Sequence, residues 1–113
     1  DMRLPTRYGP ADADLTLVCW GSTYGAAYEA VNLLNADGGS RAAMLHFSDL
    51  WPLAEERVRP LLEKEKRLVG VESNYTGQLA LLLRAHTGVH IPERILRYDG
   101  RPITSQYILD HLK

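Results

Sequence analysis

Residues Leu15 to Trp20, LTLVCW, constrain the fold of this chain more than any other stretch. A strand with one wet face alternates apolar and polar side chains, whereas a nearly continuous apolar, β-rich run fits a strand buried on both faces. The run stops at Gly21-Ser22-Thr23, and from Tyr24 to Ala36 the apolar residues Ala27, Ala30, Val31 and Leu34 recur at helical spacing. Ser22 or Thr23 can cap the start of that helix and Gly38 suits its stop. The unit is a strand, a tight turn and a helix.

The same unit recurs along the chain. A second strand is predicted from Arg41 to Phe47, after which Ser48-Asp49-Leu50-Trp51-Pro52 turns toward a helical stretch with Val58, Leu61 and Leu62. Proline lacks an N–H, so the pattern predicts a single turn around Ala54 to Arg57 and then a helix with Pro60 in its first turn. A third strand, Arg67 to Val71, runs into Glu72-Ser73-Asn74, and a helix from Thr76 to Ala85 presents Leu79, Leu82 and Leu83 before Gly88. A fourth strand, Ile95 to Tyr98, reaches Asp99-Gly100, and Thr104 can cap a last helix that buries Ile108 and Leu112.

Strands alternating with helices at this spacing call for right-handed crossovers and a parallel sheet covered on both faces. The expected class is α/β, a three-layer α/β/α sandwich around a mainly parallel sheet of four to five strands. With the strands ordered 2-1-3-4, a ligand or partner meets the carboxyl ends of the first and third, where chain direction reverses. The loops there are GSTYG and ESNYTG.

A length of 113 residues suits one domain. Residues 14–113 are expected to form it, with 1–13 a linker or trimmed N-terminal segment; a chain that opens at Asp1 through a polar, Pro-containing stretch fits a domain cut from a longer protein. Thirteen basic against fourteen acidic residues leave a net charge of -1 and no broad positive field, which argues against nucleic acid and anionic membranes as partners. The alternating charges from Glu55 to Arg67 read as a solvated helix face. One cysteine, Cys19, cannot form an internal disulfide or supply an iron-sulfur cluster or structural zinc site. No apolar run approaches the roughly 20 residues of a membrane span, and the expected location is cytoplasmic.

Gly21, Ser22, Thr23 and Gly25 precede a helix N-terminus that could hold an anion, yet the stretch is neither GxGxxG nor GxxxxGK[ST] and reads as a tight turn with a hydroxyl cap. Glu72, Asn74 and Gln78 surround Gly77, where another backbone could approach closely. Glu72 lacks a partner acid or histidine at defined spacing, so it is expected to bond loop amides or reach a neighbouring domain. Cys19 reads as a small hydrophobe. Of the scattered His46, His86, His90 and His111, His46 near Asp49 is the one to watch.

Four segments together resemble a known family: Leu17 to Gly25 (LVCWGSTYG), Leu50 to Leu53 (LWPL), Val71 to Ala80 (VESNYTGQLA) and Tyr98 to Pro102 (YDGRP). They look like the core domain of 2-oxoacid:acceptor oxidoreductase α subunits, the 2-oxoglutarate or pyruvate ferredoxin oxidoreductases. The likeness runs from about Asp12 onward, with E-x-N-x-x-G-Q its most specific part. More distantly the chain resembles the C-terminal domain of transketolase and of the pyruvate dehydrogenase β chain, whose sheets gain an antiparallel edge strand before the first parallel one. Met2 to Tyr8, interrupted by Pro5, leaves that strand open here.

The resemblance implies a parent enzyme that decarboxylates a 2-oxoacid on thiamine diphosphate, passes electrons through iron-sulfur clusters to ferredoxin and forms an acyl-coenzyme A. Neither Ala36-Asp37-Gly38-Gly39 nor Tyr98-Asp99-Gly100 reproduces the G-D-G…N stretch that holds magnesium diphosphate. The implication is a core domain inactive by itself, with thiamine diphosphate, Mg2+ and clusters elsewhere in the parent and coenzyme A as cosubstrate. Its implied partners are the other domains of the α subunit, the thiamine-binding β subunit and, through the holoenzyme, ferredoxin. Gly21, Ser22, Thr23, Glu72, Asn74, Gly77 and Gln78 carry over as structural, interface or ligand-loop residues, with no catalytic or metal-binding residue among them. The alternative expectation is a module that holds an anion or coenzyme A in the crevice between GSTYG and ESNYTG.

Overall fold

The computed structural model describes residues 4–37, 41–47, 55–73, 78–97 and 101–112. Five strands, β1 (Thr6–Tyr8), β2 (Leu15–Trp20), β3 (Ala42–Phe47), β4 (Leu68–Glu72) and β5 (Glu93–Leu96), form one sheet in the order β1-β3-β2-β4-β5. The last four are mutually parallel where they pair, and in chain order among themselves they follow the expected 2-1-3-4 arrangement. β1 is antiparallel to β3, with Thr6 opposite His46 and Tyr8 opposite Met44. This settles the open question of the N-terminal edge strand, which lies inside the segment read as linker.

Four helices complete the three layers: α1 (Tyr24–Asp37), α2 (Glu55–Glu63), α3 (Gln78–Thr87) and α4 (Ser105–His111). Leu15, Leu17 and Cys19 of β2 pack with Ala27, Ala30 and Val31 of α1 and Ile108 of α4. Val18 faces the other way, with Leu45, Phe47, Val58, Leu62, Leu79 and Leu83 between the sheet and α2 and α3. Two cores on opposite faces of one strand explain why LTLVCW shows almost no polar alternation. Each large side chain buried here contributes about 1.5–3 kcal/mol.

Local signals place most ends. Thr104 caps α4, its hydroxyl oxygen accepting the Tyr107 N–H at 3.1 Å. Gly88, at φ +78°, closes α3 by donating its N–H to the Arg84 carbonyl at 2.9 Å. The stop expected at Gly38 and the α3 start expected at Thr76 lie outside the described residues, as does Tyr98 at the end of the expected fourth strand.

Three expectations need correction. Pro60 lies inside α2, not in the first turn of a later helix. The interior proline leaves the Glu56 carbonyl without its usual helical donor, but Val58 and Leu62, four apart and fully buried, hold the continuous helix on the sheet. β5 begins at Glu93 because pairing with β4 sets Val69 against Glu93, although two of its four residues are exposed and polar. β4 extends to Glu72, so this carboxylate ends a strand and does not sit out in the loop. Among the described residues no helix is long and apolar enough to cross a membrane.

Candidate functional site

Because β2 and β4 are adjacent and parallel, the turns after Trp20 and Glu72 leave the sheet at the same rim. The first turn is a single 3₁₀ turn, Gly21–Thr23, that passes directly into α1. Gly21 takes φ +59°, with open space where a Cβ would lie, and its carbonyl accepts the Tyr24 N–H. The Thr23 hydroxyl turns back and donates to the Trp20 carbonyl at 2.7 Å, so its described bond secures the strand side of the turn and does not cap the helix. Ser22 belongs to the turn, and its side chain lies outside the described residues.

Glu72 is fully buried. Its two carboxylate oxygens accept the backbone N–H groups of Leu79 at 2.6 Å and Ala80 at 3.3 Å. These are orphan donors in the first turn of α3, and a carboxylate there also meets the positive end of the helix dipole. The side chain therefore bridges the strand before the loop to the helix after it. Asn74 and Gly77 fall outside the described residues, and of Gln78 the structure describes the backbone at the start of α3.

His46 reaches the rim from β3. Its Nε2 is 3.1 Å from the Gly21 carbonyl, and its ring meets Tyr24 edge-on at 4.8 Å between centroids. Its expected neighbour Asp49 lies outside the described residues. Cys19, one residue before the end of β2, is buried, and desolvation pushes its thiol up to about 12 despite an opposing hydrogen bond with Thr23. At neutral pH it stays protonated and is a poor nucleophile. His90 instead lies against Arg84 and His111 against the Tyr107 carbonyl, so His46, His90 and His111 each bond a different part of the fold. Among the described residues no three His, Cys, Asp or Glu side chains gather as cation ligands.

The sequence reading missed a second polar centre. Glu65, inside the stretch read as a solvated face, has a side chain only 2% exposed. Arg7 of β1 donates to it from Nε at 2.9 Å and from Nη2 at 3.1 Å, and the Thr16 hydroxyl of β2 donates at 2.6 Å. Burial pushes the carboxyl up, but the Arg7 and Thr16 hydrogen bonds outweigh it and hold Glu65 below the ordinary carboxylate value. No local signal marks this centre, since Arg7 and Glu65 lie 58 residues apart. Asn35 was likewise missed: its amide both donates to and accepts from Ala42, tying the end of α1 to the start of β3.

A groove of about 330 Å³ lies on the opposite side of the sheet from the candidate rim, with Leu62, Leu68 and Val89 among its apolar lining and Lys66, Arg67 and Glu93 among its charges. Arg67 and Glu93 pair across it at 2.6 and 2.7 Å.

The family model for the transketolase C-terminal domain matches residues 7–106. The chain is similar to 2-oxoacid:ferredoxin oxidoreductase 2, subunit alpha, of Aeropyrum pernix, at 38% identity over 98 residues, which cover 87% of this chain and 15% of that protein. Its fold is similar to that of a 2-oxoglutarate:ferredoxin oxidoreductase from Magnetococcus marinus solved with 2-oxoglutarate, coenzyme A and succinyl-CoA bound, with a TM-score of 0.85, 27% identity, and coverage of 97% of this chain and 19% of that one. It is also similar to the alpha chain of a probable 2-oxoacid ferredoxin oxidoreductase from Thermoplasma acidophilum, with a TM-score of 0.67 and 33% identity over 96% of this chain and 93% of that one. The chain thus spans about 15% of the length of the curated relative it matches.

Proposed function

Since the chain belongs to the transketolase C-terminal domain family, in the form found in α subunits of 2-oxoacid:ferredoxin oxidoreductases, we propose that it is a core assembly domain without catalytic residues of its own. Its parent would carry out thiamine-diphosphate-dependent oxidative decarboxylation of a 2-oxoacid to an acyl-coenzyme A, with electrons passing to ferredoxin. The observation that carries this reading is the state of Glu72: the one carboxylate expected at the rim is buried and spent on two helix amides. A group so committed ties β4 to α3, and its burial keeps it from touching a substrate.

The chain's one thiol does not fit an iron-sulfur cluster. A cluster requires several thiolates, and the chain's single cysteine is buried and protonated. The clusters and, as the family resemblance implies, thiamine diphosphate and Mg2+ belong in this proposal to other parts of a cytoplasmic holoenzyme. The partners are the other domains of the α subunit and the thiamine-binding β subunit, with ferredoxin reached through the assembly. The docking unit takes in β1 as well as residues 14–113, and Gly21, Ser22, Thr23, Asn74, Gly77 and Gln78 are its candidate interface residues.

Reconstitution tests the reading. Ser22→Ala and Asn74→Ala, at two of the candidate interface residues, should weaken assembly with the remaining α- and β-subunit regions while the 113-residue chain shows no turnover with a 2-oxoacid and coenzyme A. Unchanged assembly and turnover in the holoenzyme would remove the interface role. The open space beside Gly21 favours a second reading, an anion or coenzyme A held between the two turns. Calorimetry with coenzyme A and with inorganic phosphate separates the two, because heat of binding to the chain alone supports only the second.

A further inference from the structure

β3 has the sequence AAMLHF, six residues with no charge, proline or glycine, and five of them are buried. Short uncharged segments of this kind pair readily with copies of themselves once an edge is open. β2 covers one edge of β3, and β1 covers the other with a pairing of just three residues. β1 is itself a poor template: it is short, Pro5 and Pro10 flank it, and Gly9 breaks its extended course at φ +121°.

For so short a strand, β1 is held at many points. Arg7 grips the buried Glu65 carboxylate on the side of α2 and α3 and also donates to the Gly9 and Pro10 carbonyls at 2.9 and 2.8 Å. On the opposite face the Tyr8 hydroxyl donates to Asn32 Oδ1 of α1 at 2.6 Å, and its ring lies 4.6 Å from that of Tyr28. Gly9 presses on β3 so closely that a Cβ there would lie 2.7 Å from Ala43 Cα and 2.8 Å from the Ala42 carbonyl oxygen. These contacts join β1 to α1, to its neighbour β3 and to the residue between α2 and β4.

We propose that β1 is an edge lock. While the Arg7–Glu65 clasp holds it, the sheet ends in a strand too short to recruit another; when the clasp opens, the freed edge of β3 pairs with the same edge of a second copy in a two-fold, isologous contact. The Thr16 hydroxyl donates to the same carboxylate and couples the lock to the central strand.

Two substitutions open the lock by independent routes: Arg7→Ala removes the clasp, and Gly9→Val pushes the strap away while leaving Arg7 and Glu65 intact. In each, the amides that pair β1 with β3 should exchange at least about tenfold faster at low protein concentration while those of β3 that face β2 stay protected, and sedimentation should move from monomer to dimer mass as concentration rises. A synthetic peptide spanning residues 4–12 should return the Arg7→Ala dimer to monomer. Folded variants that stay monomeric overturn the lock, as does a dimer indifferent to the peptide. If both variants unfold, β1 is an integral strand with no locking role, and the proposal likewise fails.

Discussion

The two rims of the sheet solve the same problem by different means. Toward the amino ends of the parallel strands, long side chains from distant parts of the chain meet as ion pairs: Arg7 with Glu65, and Arg67 with Glu93. At the carboxyl ends the described closures fix helix starts: Gly21 turns into α1 with its carbonyl beside His46 Nε2, Glu72 holds the start of α3 and Thr104 caps α4. The amino side is thus stitched together by side chains, while among the described residues of the carboxyl side the polar groups of Thr23, Glu72 and Thr104 each bond a backbone group nearby. The first arrangement ties distant segments together; the second fixes where each helix starts relative to the strand before it.

The comparison breaks if the carboxyl rim proves indifferent to Glu72. Glu72→Ala leaves two amides of α3 unpaired in a buried position and should cost about 3 kcal/mol, read as a shift in denaturant midpoint at unchanged slope. Glu72→Gln, which keeps one acceptor oxygen, should cost roughly half as much. On the amino side Arg7→Ala strands a buried carboxylate and should cost about 2–3 kcal/mol.

Acid sharpens the contrast. Glu65 is held below its ordinary value of 4.5, so its contribution to stability is complete above that pH and is lost as pH falls through the folded-state value. Urea midpoints followed from pH 6 downward should show this loss in the native chain and a flatter limb in Arg7→Ala. An equal slope in both would separate Glu65 from Arg7. At the opposite rim Thr104→Ala should cost about 1 kcal/mol through the lost cap, with fraying confined to α4 in hydrogen exchange. The smallest effect belongs to Arg67→Ala: its pair with Glu93 is over 40% exposed on each side, and its loss should stay below about 1 kcal/mol and vanish in high salt.

Periodicity made much of this fold legible. The bounds of LTLVCW, the helix after it and the Thr104 cap follow from patterns within a few residues, because strand burial, helical spacing and capping are local or repeat at short period. The candidate rim was legible to the same depth, since parallel strands must release their loops on one side. Where Glu72 would point was not. Its place at the end of β4 depends on the register with β2 and β5, and its bonds to Leu79 and Ala80 form only once α3 has folded back on the sheet.

By itself, then, the sequence determined the alternation of strand and helix and the residues that had to be buried, since each of those choices is settled by a side chain and its near neighbours. The three-dimensional packing decided the rest: that α2 runs through Pro60, that Thr6–Tyr8 closes the sheet, and that Glu65, with the look of a surface charge, is buried. Each of these depends on contacts between segments far apart in the chain, such as the 58 residues from Arg7 to Glu65 and the 49 from Thr16. No local window contains both partners, so only the folded chain reveals that their charges and hydroxyls find one another.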